Sequence, residues 1–292
     1  MTGPVEGLPA PSRRSVPSAP ARRRAGANLV VGALLVGLVA ATALLSVAWT
    51  PHDPLRIDAA ARLLGPSAEH PLGTDRFGRD TLSLLMLGAR TTLLVGSLSV
   101  GLAALVGVPL GLLAATAGGW VDGLLMRATD LLLAFPALLL AIMLAAAFGG
   151  GTVTATAAIA LATVPAFARV TRAGALRVLR TEYVLAARAA GRSRPDIALR
   201  HVLPNIAGTL VVQSSVSFAI AVLAEAALNF LGFGTQPPTP SWGRMLQESQ
   251  EFLYETQRLA LVPGLAIATA VLGFNLLGDG LRDRFDPRLE GR

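Results

Sequence analysis

EYVLAARAAGRSRPDIALRHVLPN, residues Glu182–Asn205, lies between two long apolar segments and governs how the rest of the chain is read. It carries Arg188, Arg192, Arg194 and Arg200, with Arg169, Arg172, Arg177 and Arg180 just upstream, against only Glu182 and Asp196. An arginine-dense polar segment between membrane spans stays on the cytoplasmic side, by the positive-inside rule. Gly191 permits a sharp turn, and Ala186, Ala187, Ala189 and Ala190 leave a small-residue surface that a partner can approach. The expected local structure is an elbow: a helix continuing from the upstream span, a break near Gly191–Pro195, and a second helix stopped at Pro204. The spacing alone is equally compatible with a basic loop that only fixes orientation.

Outward from the elbow, the chain is too apolar for an ordinary soluble domain: 53% of its 292 residues are hydrophobic, with mean hydropathy +0.58. Apolar runs near the roughly 20 residues that a bilayer requires predict an all-α membrane protein of about six transmembrane helices. They cover Ala27–Trp49, Thr91–Ala117, Leu124–Phe148, a helix from Thr152 through Phe167 and beyond Val170, Ile206–Leu228, and Leu259–Leu277. Residues 1–26, rich in Pro, Ser and Arg, are expected to be a disordered cytoplasmic tail. The first helix, 27–49, is expected to be retained, because it is too long for a signal-peptide core and lacks a convincing cleavage site. Residues 50–90 then form an extracytoplasmic loop. The core, 91–280, contains a cytoplasmic loop (168–205) and an outer loop (229–258), and 281–292 is a second cytoplasmic tail. Gly107 and Gly111 bracket Pro109 and would let a neighbouring helix approach closely.

Several function classes drop out. Without cysteine there is no thiolate chemistry, and without lysine there is no phosphate-loop lysine or Schiff base. Any ATP hydrolysis therefore belongs to another subunit. The arginines flank spans without interleaved aromatics, which argues against nucleic acid. No catalytic triad or carboxylate pair is visible. His201 is expected on the opposite side of the membrane from His52 and His70, so neither a histidine cluster nor a metal site is expected. Ionisable residues near spans point inward or toward an interface. Arg127 and Asp130, three residues apart, would pair on one helix face. Glu225, with Asn229 one turn later, would line a translocation path or pack against a partner subunit. Around Gly73 and Gly78, Asp75 or Asp80 would cap a following helix, or the turn would touch substrate.

The elbow also resembles the E-A-A-x3-G-x9-I-x-L-P loop of ABC-importer permeases, through Ala186-Ala187, Gly191 and Leu203-Pro204. Leu185 stands at the motif's Glu and His201 at its Ile. Other phrases resemble the dipeptide/oligopeptide/nickel subfamily in order: His70–Asp80 (HPLGTDRFGRD), Gly119–Asp122, Met126–Asp130, Glu225–Gly232, Gln236–Gly243 and Asn275–Asp283. This resemblance implies a type I ABC importer permease fold and a C-type subunit in a bacterial inner membrane, with both termini cytoplasmic. It implies a B-type permease partner, cytoplasmic ATPases and an extracytoplasmic substrate-binding protein, with ATP used by the partners and no cofactor in this chain. Leu185, Ala186, Ala187, Arg188, Gly191, Arg192, Ser193, Pro195, Leu203 and Pro204 would couple to the ATPase, with Arg188 or Arg192 meeting acidic surface in place of the missing Glu. Gln236, Pro238 and Trp242 would face the binding protein, or Trp242 would anchor at the interface. Peptides are the first substrate expectation, with nickel chelates, opines and oligosaccharides open. The rival class is a proton-coupled secondary transporter or channel, which needs a membrane-embedded acid with a relay.

Overall fold

The computed structural model describes residues 20–285, and among them it contains helices and one isolated bridge, Thr74 to Asp80, but no strand. The longest element begins where a cap dictates. Asp80, in extended conformation, accepts a hydrogen bond from the Ser83 amide at 2.8 Å and starts α2, Thr81–Ala117. Such a cap contributes about 1 kcal/mol. The helix starts ten residues before the span expected from Thr91. At roughly 55 Å it outreaches a bilayer core of about 30 Å. Its two ends therefore stand in different surroundings, and both hold candidate sites.

α2 lies against α5, Thr152–Val178. A Cβ on Gly107 would come 2.7 Å from the Val164 carbonyl oxygen, and one on Gly111 the same distance from the Thr171 Cβ, so glycine is what allows these backbones to meet. α1, Pro20–Ala48, packs along α10, Arg258–Phe285, and turns Val30, Leu34, Leu38 and Leu44 outward. Its helix already includes residues 20–26, part of the expected tail; the rest of that tail, 1–19, lies outside the described residues. At the other terminus α10 continues to Phe285, inside the second expected tail, whose residues 286–292 are likewise outside them.

The third expected span is not straight. It divides into α3, Gly119–Ala134, and α4, Ala137–Phe148, bent by 84°. Pro136 lacks an amide proton and pushes Phe135 into extended conformation (φ −88°, ψ 128°). Among the described residues five helices are individually long and apolar enough to cross a membrane, and the bent pair makes a sixth if taken together. The remaining elements are α6, Glu182–Ala189; α7, Arg194–Ile197; α8, Leu203–Phe230; and α9, Trp242–Ser249. Phe218 of α8 stacks on Phe274 of α10 at 4.0 Å, beside the wholly buried Phe167 and Val95, in the main core. A second, smaller core lies under the elbow.

Candidate functional site

The elbow is built by turn chemistry at each joint. α6 ends in a Schellman arrangement: Gly191 has φ +81°, its amide donates to the Arg188 carbonyl (3.0 Å), and the Arg192 amide donates to Ala187 (3.1 Å). The Ser193 hydroxyl then accepts from the Asp196 amide, and Pro195 sits in the first turn of α7, where its missing donor costs nothing. Pro204 does not stop the second helix. Ala198–Val202 forms a π-turn in which the Leu203 amide reaches back to Ala198, giving the ring of Pro204 room behind Arg200. Asn205 Nδ2 caps the His201 carbonyl at 2.6 Å. Arg194–Phe230 is consequently one helix of 37 residues.

This elbow is pinned from below. Val184, Ile197 and Val202 are fully buried against Leu112 and Ala115 of α2, Ala175 and Leu179 at the end of α5, and Ile206. Upward it presents Tyr183, Leu185 (51% exposed) and Leu199 (60% exposed) around the small Ala186, Ala189, Ala190 and Gly191. An exposed apolar ridge on a rigidly anchored turn is the form of a docking surface. Asp196 is occupied by two cations, Arg192 (3.0 Å) and Arg200 (2.8 Å). Arg188 makes no ion pair among the described residues, so of the two arginines expected to meet an acidic partner it is the free one. His201 is half-buried with its ring edge-on to Tyr183.

The expected Arg127–Asp130 pair is replaced by links between helices. Asp130 bonds Arg169, and Asp122 takes Arg172 through both carboxylate oxygens, with Nη2 to Oδ2 at 2.6 Å. Because α3 packs on α5, a partner across the interface lies closer than the one along the same helix. Arg127 is exposed and makes no ion pair among the described residues.

At the opposite end of α2, residues 50–80 and 235–252 form a joined cap. Asp75 accepts from the Phe77 and Arg79 amides (2.8 and 2.9 Å) and from the Arg79 Nε (2.7 Å). Arg79 and Arg244 both grip Glu248 of α9 (2.8 and 2.9 Å), and the Arg258 guanidinium donates to the carbonyl of Leu72 at 2.8 Å. A groove of about 270 Å³ runs between the two segments, lined by Leu55, Phe77, Pro238, Pro240, Met245 and Arg76. Pro238, in that lining, and Gln236 are both exposed. Trp242 is not: it is 2% exposed and its Nε1 donates to the Leu85 carbonyl at 2.9 Å, so it cannot face a binding protein or anchor at an interface.

Glu225 and Asn229 lie inside the chain, 1% and 2% exposed. Asn229 Nδ2 donates to Glu225 Oε1 (2.6 Å), Thr92 donates to Oε2 (3.2 Å), and Asn229 Oδ1 accepts from the Thr235 amide (2.6 Å). The pair closes α8 onto α2 and the cap.

The expectation that no histidines cluster is also corrected. The His52 and His70 rings are 4.5 Å apart, and His70 Nδ1 lies 2.9 Å from Asp80 Oδ1. Burial would push the Asp80 carboxyl up, but hydrogen bonds from His70 and Ser83 outweigh it and hold the group below its ordinary value. Eighteen and ten residues separate these three positions, and no local pattern signals their meeting.

Residues 107–291 match the family of binding-protein-dependent transport system inner membrane components. The chain is 41% identical over 261 residues to the dipeptide transport system permease protein DppC of Alkalihalophilus pseudofirmus, covering 88% of this chain and 86% of that one. It is 40% identical over 262 residues to the glutathione transport system permease protein GsiD of Pectobacterium atrosepticum, covering 89% and 87%. Its fold is similar to a chain of an inward-facing MetNI methionine ABC transporter, with TM-score 0.58 and 18% identity over 70% of this chain and 96% of that one. The chain belongs to the binding-protein-dependent permease family, as a membrane-embedded transport subunit and not an enzyme.

Proposed function

We propose that this member of the permease family is one half of the translocation path of an ATP-driven importer for small peptides. The observation that carries the reading is the elbow: an exposed ridge, Leu185 and Leu199, held on a turn whose other face, Val184, Ile197 and Val202, is fully buried. That combination suits a part that must receive a push and pass it on without yielding. ATP would be bound and hydrolysed by separate cytoplasmic ATPases, and Arg188 would meet their acidic surface. Glu182, exposed one helical turn before Leu185, is the carboxylate nearest in sequence to the motif's vacant acidic position. The groove at the cap, with Pro238 in its lining, and the exposed Gln236 two residues before it would receive the substrate-binding protein. The outward apolar faces of α3 and α4 (Leu131, Leu139, Met143) would adjoin lipid and a B-type permease.

Peptides are favoured because the names of two relatives, a dipeptide and a glutathione system, share that chemistry. The expected sidedness puts the elbow and both termini in the cytoplasm of a bacterial inner membrane. Cells expressing the complete transporter should accumulate labelled dipeptide, and unlabelled di- and tripeptides should compete. Uptake should stop on ATP depletion and survive an uncoupler while ATP is maintained. Uptake that collapses with the proton gradient alone would favour the proton-coupled class instead.

A further inference from the structure

We infer that His52, His70 and Asp80 form a binding site for one divalent transition-metal ion of the zinc type, at the cap end of α2. One ligand atom from each residue lies within 4.8 Å of the other two. His70 Nδ1 is 2.9 Å and His52 Nδ1 3.8 Å from the same oxygen, Asp80 Oδ1. Ligands held tetrahedrally at about 2.0–2.2 Å from zinc are roughly 3.3–3.6 Å apart, so both imidazole–carboxylate separations lie within roughly half an ångström of coordination-shell spacing, and the imidazole rings need only turn toward each other to complete it.

The carboxylate is already oriented for it. Asp80 is fully buried, and its Oδ2 is engaged by the Ser83 amide (2.8 Å) and hydroxyl (2.7 Å), which leaves Oδ1 facing the two imidazoles. The same Ser83 hydroxyl accepts from the His52 amide at 3.0 Å, and the His70 amide is held by the Ser67 hydroxyl, also at 3.0 Å. All three ligands thus sit on backbone that hydrogen bonds fix independently of any ion, the supporting shell that metal sites need.

A plain His70–Asp80 hydrogen bond explains only part of this. His52 Nδ1 is withdrawn from solvent and has no hydrogen-bond partner, although it points at a carboxylate oxygen that already has one. A buried nitrogen without a partner costs free energy, and a cation shared by the three groups removes the deficit. Two imidazole nitrogens with one oxygen select zinc, cobalt, nickel or copper over calcium or magnesium, which take oxygen ligands. Bound there, the ion would tie the segment leaving α1 and the loop before α2 to the start of α2.

The test uses the permease pair purified together, stripped with chelator and titrated with Co2+, then Zn2+. One Co2+ per chain with visible bands of four-coordinate geometry, displaced by Zn2+, is expected, together with a rise in thermal stability on adding Zn2+. Both signals should weaken by roughly tenfold or more in His52→Ala and His70→Ala, and persist in His201→Ala, the only other histidine. His70→Ala removes a hydrogen bond and could fail to assemble; His52→Ala removes none, and then decides alone. Absence of stoichiometric binding at micromolar metal, or binding by His52→Ala equal to wild type, would show a hydrogen-bonded turn and overturn the inference.

Discussion

Gly191→Val tests whether the elbow transmits force or merely orients the chain. Gly191 has φ +81°, and a Cβ built on it meets no atom within 4 Å, so within this chain the site has space and the cost is conformational. An L-residue in the left-handed region costs about 1–2 kcal/mol, and a β-branched one sits at the upper end. One or two kcal/mol reduces the native turn against alternatives by a factor of about 5–30. The open space also faces whatever docks, so the side chain adds a second obstacle on the partner's side. Gly191→Asn and Gly191→Ala separate the two: Asn tolerates positive φ but is nearly as large as Val, whereas Ala is small but strained. If strain dominates, activity falls in the order Asn, Ala, Val; if clearance dominates, Ala is best and Asn resembles Val. The assays are labelled-dipeptide uptake in cells and pull-down of the ATPase by the assembled permease pair. Gly191→Val should insert and pair normally, lose at least about fivefold in uptake, and retain less ATPase. Uptake and pull-down at wild-type level would refute the coupling role.

The Arg172–Asp122 pair should hold α3 to α5: Asp122→Ala leaves a half-buried guanidinium without its bidentate partner and should cost about 1.5–3 kcal/mol, read as a lower melting temperature in detergent. Asp122→Ala with Arg172→Ala should cost less than the sum of the single changes, and strict additivity would show the pair to be idle. Asn229→Ala strips partners from the buried Glu225 carboxylate and the Thr235 amide, about 1–3 kcal/mol each, so thermal stability should drop. Unchanged stability with uptake lost would return Glu225 and Asn229 to the translocation path. Single cysteines in this cysteine-free chain report sidedness: Ala189→Cys should be labelled only from the cytoplasm and Ala68→Cys only from outside, and labelling of both from one side would break the six-span arrangement.

What could be read in advance was what local chemistry decides. Five of the spans followed from apolar length, the elbow's turn from Gly191, and the close helix approach from Gly107 and Gly111, whereas α2 was expected from Thr91 and Asp80 was one of two capping candidates. Prolines were less legible, because the same residue has different effects in different packing. Pro109, Pro165 and Pro263 remain inside continuous helices. Around Pro109, Gly107 and Gly111 clamp the helix to α5 on both sides of the missing hydrogen bond. Pro136 has no such support: Leu133, Phe135, Leu138 and Leu139 are all exposed, and there the helix folds over. Pro204 looked like a stop and instead sits behind a π-turn, a choice made by the burial of Val202 and Ile206 on either side of it. Long-range pairings were invisible for a simpler reason. Spacing along one helix proposed Arg127 for Asp130, but only the packing of α3 on α5 brings Arg169 there. Trp242 likewise read as a surface aromatic until α9 folded it against α2.

The π-turn also bears on how the elbow could act. Had Pro204 ended the helix, the elbow would hang from α8 by a flexible joint, and a push on it would be absorbed locally. With Arg194–Phe230 continuous, the element reaches roughly 55 Å from the exposed ridge to the cap. Its far end is fastened there: Asn229 holds the Thr235 amide, Glu225 holds Thr92 of α2, and Gly243 lies so close to the Ala226 backbone that a Cβ would not fit. Its near end shares the buried cluster of Val202 and Ile206 with the ends of α2 and α5. A displacement delivered at Leu199 therefore has no soft joint on this helix in which to dissipate, while one delivered at Leu185 of α6 passes through the cluster that Val184 shares with Ile197 and Val202, and in the proposed cycle α2, α5 and α8 would move as one body. The softer place is the 84° break between α3 and α4, exposed on both sides and closed by no buried side chain at Phe135 or Pro136. Relative motion between this body and its surroundings would concentrate there, which also makes the Arg169–Asp130 and Arg172–Asp122 links from α5 to α3 the contacts that decide how much of α3 travels with the lever.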